Sequence, residues 1–193
     1  MTRRGAHRSH PYVGGLLLAF TGGPERERTA TSGERSVAAS IAKRTADRAL
    51  VTLHNRRMPS GRGDIDHIAV APAGVFVIDA KDTRGKVRIA RPLFKDARLL
   101  IDGWDRTKML DGLDRQVAAM RGALAAGGYC GVDVQGAICF TKANLPLLRT
   151  QHLRGHLLLY RKSLAKRLNA DGPLDAVTIR SIGRELALAF PPV

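Results

Sequence analysis

"GDIDHIAVAPAGVFVIDAK", residues 63–81, decides the fold of this chain. Two apolar runs, 65–71 and 75–81, flank the turn signal Ala71-Pro72-Ala73-Gly74, so the stretch reads as an antiparallel β-hairpin. If Val70 lies opposite Val75, the same register sets Asp66 against Asp79 and Asp64 against Lys81. Period-two alternation then aims all four side chains at one face. Opposed Cβ atoms lie about 4.5–5.5 Å apart, a distance at which like charges destabilise a sheet. Two carboxylates held this close need a physical reason.

A divalent cation supplies one. Mg²⁺ prefers oxygen ligands and commonly takes one or two carboxylates, several waters and a substrate phosphate, and Mn²⁺ suits the same donors. A cation on Asp66 and Asp79 would polarise a phosphoryl oxygen and acidify a bound water. Lys81 could orient or deprotonate that water and offset charge on the phosphorus centre. These residue types fit metal-assisted phosphodiester hydrolysis. The competing structural account is a solvated sheet edge with Asp64 paired to Lys81, which leaves Asp66 against Asp79 unexplained.

Upstream, Ser32 is a candidate cap for a helix over about 34–48, and Leu50–His54 reads as a short strand. The segment "RRMPSGRG" that follows reads as a loop, in which Arg56, Arg57 and Arg62 are candidate clamps for a nucleic-acid backbone. Downstream, Gly85–Ala90 and Arg98–Ile101 read as further strands of the same meander. Arg106–Ala126 then turns to helical periodicity, with Met109, Leu110, Leu113, Val117, Met120 and Leu124 on one face and Gly127-Gly128 as its stop. Strands over 134–140 and 156–160 and helices over about 162–169 and 175–189 complete a mixed α/β domain, one sheet with helices packed on it.

The chain has 193 residues and a formal net charge of +15, with two cysteines and no CxxC pair. A disulfide framework and a zinc site are therefore not expected, and a reducing, cytoplasmic setting suits the thiols. The first 32 residues carry five arginines against two glutamates, so a net charge of +12 stays with the remainder. A basic body attracts polyanions, which makes nucleic acid the expected partner class. The apolar run 12–20 is too short to span a bilayer and only loosely imitates a signal peptide. Residues 1–31 are expected to form a flexible or weakly docked extension, and 32–193 the domain.

Other residues read more plainly. His67 should point away from Asp66 into the core, Trp104 is expected as a packing anchor, and Cys139 as an inert core thiol. His152 and His156 lack a third ligand nearby in sequence, and phosphate-loop, serine-hydrolase and dinucleotide fingerprints are missing.

"SGERSVAASI", then "GDIDHIAVAPAGVFVIDAKDTRGKV", then a helix carrying Gln116, together resemble the nuclease-related domain, or NERD, family of the PD-(D/E)XK nuclease superfamily. The resemblance spans roughly residues 32–160. It implies a restriction-endonuclease-like core, a central mixed sheet with an antiparallel hairpin flanked by helices. By position it implies that Asp66 and Asp79 are the metal-binding acids, Lys81 the motif lysine, Glu34 the glutamate of the first helix and a further ligand, and Gln116 the helix glutamine. Met120 stands where relatives with a Gln-x-x-x-Tyr helix carry Tyr. The expectation is an Mg²⁺-dependent or Mn²⁺-dependent deoxyribonuclease acting in DNA processing or repair. The alternatives are a nucleic-acid-binding module of the same fold without effective turnover, and an RNA-directed nuclease.

Overall fold

The computed structural model describes residues 18–20, 30–61, 63–146 and 150–193, with the backbone alone at 18–20. The first helix, α1 (Ser32–Arg44), is capped by Thr31 rather than Ser32: Thr31 is extended and its hydroxyl accepts the Glu34 N–H at 3.2 Å. It ends earlier than expected because the Thr45 hydroxyl donates to the Ile41 carbonyl at 2.8 Å, taking up an acceptor of the last turn.

Strands β2 (Val51–Arg57), β3 (Asp64–Ala71) and β4 (Gly74–Lys81) form an antiparallel meander. β1 (Leu18–Phe20), inside the expected N-terminal extension, pairs in parallel with β2; the rest of that extension up to residue 29 lies outside the described residues. β5 (Val87–Ala90), β6 (Arg98–Ile101) and β7 (Trp104–Asp105) do not continue the meander as expected; they form a separate antiparallel sheet of three strands. Helix α2 (Met109–Ala126) then crosses to β8 (Val134–Phe140), which pairs in parallel with β4. β9 (Gln151–Leu153) and β10 (His156–Tyr160) form a hairpin whose second strand is parallel to β8. Helices α3 (Arg161–Leu168) and α4 (Ala176–Ala189) follow. The main sheet runs β1-β2-β3-β4-β8-β10-β9. This is a mixed α/β architecture, consistent with a restriction-endonuclease-like fold.

Strand alternation splits the core in two. Ile68, Val70, Val75 and Val77 meet Leu113, Val117 and Met120 of α2 and Ile179, Ile182 and Leu186 of α4. Ala69, Ala71, Phe76 and Ile78 meet Val37 and Ile41 of α1 and Leu164 and Leu168 of α3. Gly74 enters β4 at φ 129°, and a Cβ there would come within 2.6 Å of the Asp133 carbonyl oxygen, so this corner admits only glycine.

Cys139 is buried, and burial pushes its thiol up to about 12, as expected of an inert core group. Trp104 is no packing anchor: on a strand of two residues at the rim of the small sheet it is 73% exposed. Among the described residues no helix is long and apolar enough to cross a membrane.

Candidate nuclease site

The β3–β4 ladder has the register that the sequence implies, from Ala71↔Gly74 through Val70↔Val75 to His67↔Ile78. There the backbone pairing ends, and the Asp66 carboxylate accepts the N–H of Ala80 through Oδ2 at 2.8 Å. A side chain thus takes the donor that the opening ladder releases, and this fixes Asp66 beside the end of β4.

Burial is the first cause that raises Asp66 from 3.8 to about 7; the negative charge of Asp79 is the second, and Glu34 adds to it. The Ala80 N–H and the Lys81 charge oppose the shift without cancelling it. Lys81 Nζ lies 2.7 Å from Asp79 Oδ1, with their side chains 32% and 14% exposed. Lys81 therefore pairs with Asp79 and not with Asp64, so the edge pairing weighed above does not form. Two acids and a lysine from one hairpin end share a poorly hydrated spot, where a carboxylate carries its charge only at a penalty.

The first turn of α1 is pinned against this hairpin end. Ser32 Oγ donates to Asp82 Oδ2 at 3.0 Å, and a Cβ on Gly33 would come within 3.0 Å of the Asp82 Cβ. Asp82 also accepts from Thr141 Oγ1 at 2.5 Å and from Lys142 Nζ at 2.7 Å. Those bonds hold its carboxyl down at about 2. Asp82 was not singled out from the sequence; its signal is a second acid directly after Asp79-Ala80-Lys81, positioned to tie α1 and β8 to the end of β4.

Glu34 is held by its own helix. Its carboxylate accepts from the Thr31 hydroxyl at 2.8 Å while its N–H donates back to that oxygen, a reciprocal cap. Its charge still reaches Asp66. Among the described residues no group of three or more His, Cys, Asp or Glu side chains converges as a metal cage. Asp66 and Asp79 come together; Glu34 stands off from them. Two carboxylates fit a cation that keeps most of its waters, as Mg²⁺ does. Gln116 reaches from α2 to the start of β3, where Nε2 donates to the Asp64 carbonyl at 2.8 Å and leaves Oε1 as an acceptor.

His67 is buried on the α1 side, as expected, and its Nδ1 lies 2.8 Å from Nδ1 of His54. Burial first, then Arg56, lowers His54 to about 4; burial first, then His54, lowers His67 to about 3, with the Glu34 backbone opposing. The basic clamp needs correction. Arg56 and Arg57 lie in β2 and not in a loop, opposite Ile65 and Asp64. Arg56 is 4% exposed, beneath a bridge to Pro192, so its guanidinium is not presented to a polymer at the surface. Arg62 lies outside the described residues. His152 and His156 belong to a β-hairpin, and His156 Nε2 is 2.6 Å from Asp114 Oδ1.

Residues 29–141, more than half of the chain and all of the hairpin site, match the family model described as nuclease-related domain. The chain belongs to the NERD family. The PD-(D/E)XK nuclease superfamily is the general context of NERD, and the family assignment makes the chain nuclease-related. Neither the curated proteins nor the solved structures compared with this NERD chain gave a match.

Proposed function

We propose that this NERD chain is an Mg²⁺-dependent or Mn²⁺-dependent nuclease that hydrolyses DNA phosphodiester bonds in DNA processing or repair. The observation that carries the reading is the half-buried juxtaposition of Asp66 and Asp79, whose mutual repulsion a divalent cation would relieve. Asp66 and Asp79 would hold the cation, with Glu34 assisting through a water. When bound, the cation supplies a polarised phosphoryl oxygen and a bound water of lowered pKa.

The remaining steps belong to the chain's own residues. Lys81, held 2.7 Å from Asp79, would orient the attacking water and offset charge developing at phosphorus. Gln116 would accept a hydrogen bond from that water or from substrate through Oε1. The two free thiols, exposed Cys130 and buried Cys139, suit a reducing setting such as the cytoplasm.

Plasmid and linear DNA, incubated with Mg²⁺ or Mn²⁺, should be nicked or degraded, and Asp79→Ala and Lys81→Ala should each reduce the rate at least about 100-fold, the scale of a lost electrostatic group. Cleavage that survives both substitutions would overturn the assignment, and parallel assays on RNA decide the polymer. The engagement of Glu34 by Thr31 favours a second reading, a nucleic-acid-binding module without turnover. Calorimetry separates the two: Mg²⁺ or Mn²⁺ binding that depends on Asp66 and Asp79 is required only by the nuclease.

A further inference from the structure

Helix α3 has the sequence RKSLAKRL, with Leu164, Ala165 and Leu168 turned into the core. Of the four cations among its eight residues, Lys162, Lys166 and Arg167 are exposed and Arg161 is half-buried, and no acid accompanies them. Beside it, the last turn of α1 carries Lys43 and Arg44. The two helices are tied by Asn169 Nδ2, which donates to the Arg44 carbonyl at 2.8 Å, and by a hydrogen bond from Arg161 to Ser36 Oγ.

Two cavities, of about 390 and 610 Å³, open along this seam, and a third, of about 490 Å³, lies between α3 and β10. They adjoin around α3: Arg44 and Lys162 line the first and second, Lys166 the second and third, and Tyr160 the first and third. None of their lining residues is a carboxylate. Among the described residues, none of the six cations forms an ion pair within 4 Å. Six like charges gathered around α3 and the end of α1 hold counterions, and a polyanion that displaces them gains affinity. The first cavity is also lined by Phe140 and Thr141. Phe140 is the register partner of Lys81, and the Thr141 N–H donates to the Lys81 carbonyl at 3.1 Å. One end of the seam therefore lies at the strand ends that carry the acidic pair.

We propose that the α1–α3 seam binds the phosphate backbone of a polynucleotide and holds the strand beyond the acidic hairpin. This rests on the nucleic-acid part of the reading above and adds where the polymer lies. Adjoining cavities rimmed by cations match a flexible chain with one charge per repeat. A bilayer surface cannot follow a concavity, and the large apolar residues that line the cavities, Phe140, Leu145, Leu158 and Leu159, are buried and do not project for insertion.

The test is fluorescence anisotropy of labelled duplex and single-stranded DNA across a NaCl series, comparing the full chain with Lys162→Glu/Lys166→Glu and Lys162→Gln/Lys166→Gln. Losing two phosphate contacts should lower the slope of log K against log salt by about 1.8 on duplex or about 1.4 on single strands. In cleavage assays the same pairs should raise KM with kcat retained. An unchanged slope in the Gln pair, with its circular dichroism melt intact, overturns the proposal. So does loss of binding to phosphatidylserine vesicles while DNA binding stays. Groove-dependent DNA binding without any cleavage leaves the seam standing and removes the catalytic reading; cleavage with an unchanged slope does the reverse.

Discussion

Asp66 and the two buried histidines pull stability in opposite directions as pH changes. The folded pKa of Asp66 is raised, from 3.8 to about 7, so its contribution is full below 3.8 and is lost as pH rises through 7. His54 and His67 are depressed from 6.5 to about 4 and about 3, so their contributions are present above 6.5 and are lost on acidification toward those values. Near pH 5.5 the unfolded chain holds almost two extra protons on the histidines, and the folded chain one on Asp66. In chelator, stability should therefore fall on acidification from pH 6 to 5 by about 1 kcal/mol per unit, the value of somewhat less than one net proton. Asp66→Asn, which keeps an acceptor for the Ala80 N–H, should roughly double that slope. Urea titrations at several pH values measure it, and an unchanged slope would show that Asp66 ionises normally.

At the scale of elements, the cap of α1 and the site share one side chain. Thr31→Ala should destabilise the protein by about 1 kcal/mol, as loss of a cap does. Glu34→Gln can still accept the Thr31 hydroxyl, so its melting temperature should hold while the Mg²⁺ concentration for half-maximal cleavage rises; cleavage unaltered at every Mg²⁺ concentration would reduce Glu34 to a cap. The hairpin and α2 were legible because their signals are local: alternation and a Pro-Ala turn set the β3–β4 register, and the 110–124 stripe marked the buried face of α2. The small sheet was not, since strands of four, four and two residues carry no mark of which sheet they join. Arg56 was misplaced because guanidiniums beside Gly and Pro resemble a loop, whereas pairing with Ile65 and the bridge to Pro192 draw it into β2. Asp82 and the Glu34 cap needed spatial neighbours that sequence distance conceals.

Across the whole molecule, the basic surface and the acidic hairpin occupy different elements joined at the β4 and β8 ends. The rim of the small sheet is a separate region, and its exposed Trp104 is the single tryptophan of the chain. Acrylamide should quench its emission nearly as well in the native as in the unfolded protein, and Trp104→Ala should shift stability by less than about 0.5 kcal/mol, as surface substitutions do. A strongly protected indole would mean that this rim packs against something.

The short turn between β3 and β4 also bears on how the chain folds. Ala71 and Gly74 pair across Pro72-Ala73, whereas Asp79 meets its β8 partner Ile138 only after α2 has been traversed. Hairpins close in about 1–10 μs, and long-range parallel pairing must first overcome a larger loss of chain entropy. The hairpin contact that brings the two carboxylates together is expected to form earliest, so their repulsion should act on the nucleus. Asp66→Asn at pH 8 should speed refolding and leave unfolding almost unchanged in stopped-flow kinetics. The acidic pair at this hairpin end is thus expected to set the pace at which the chain finds its structure.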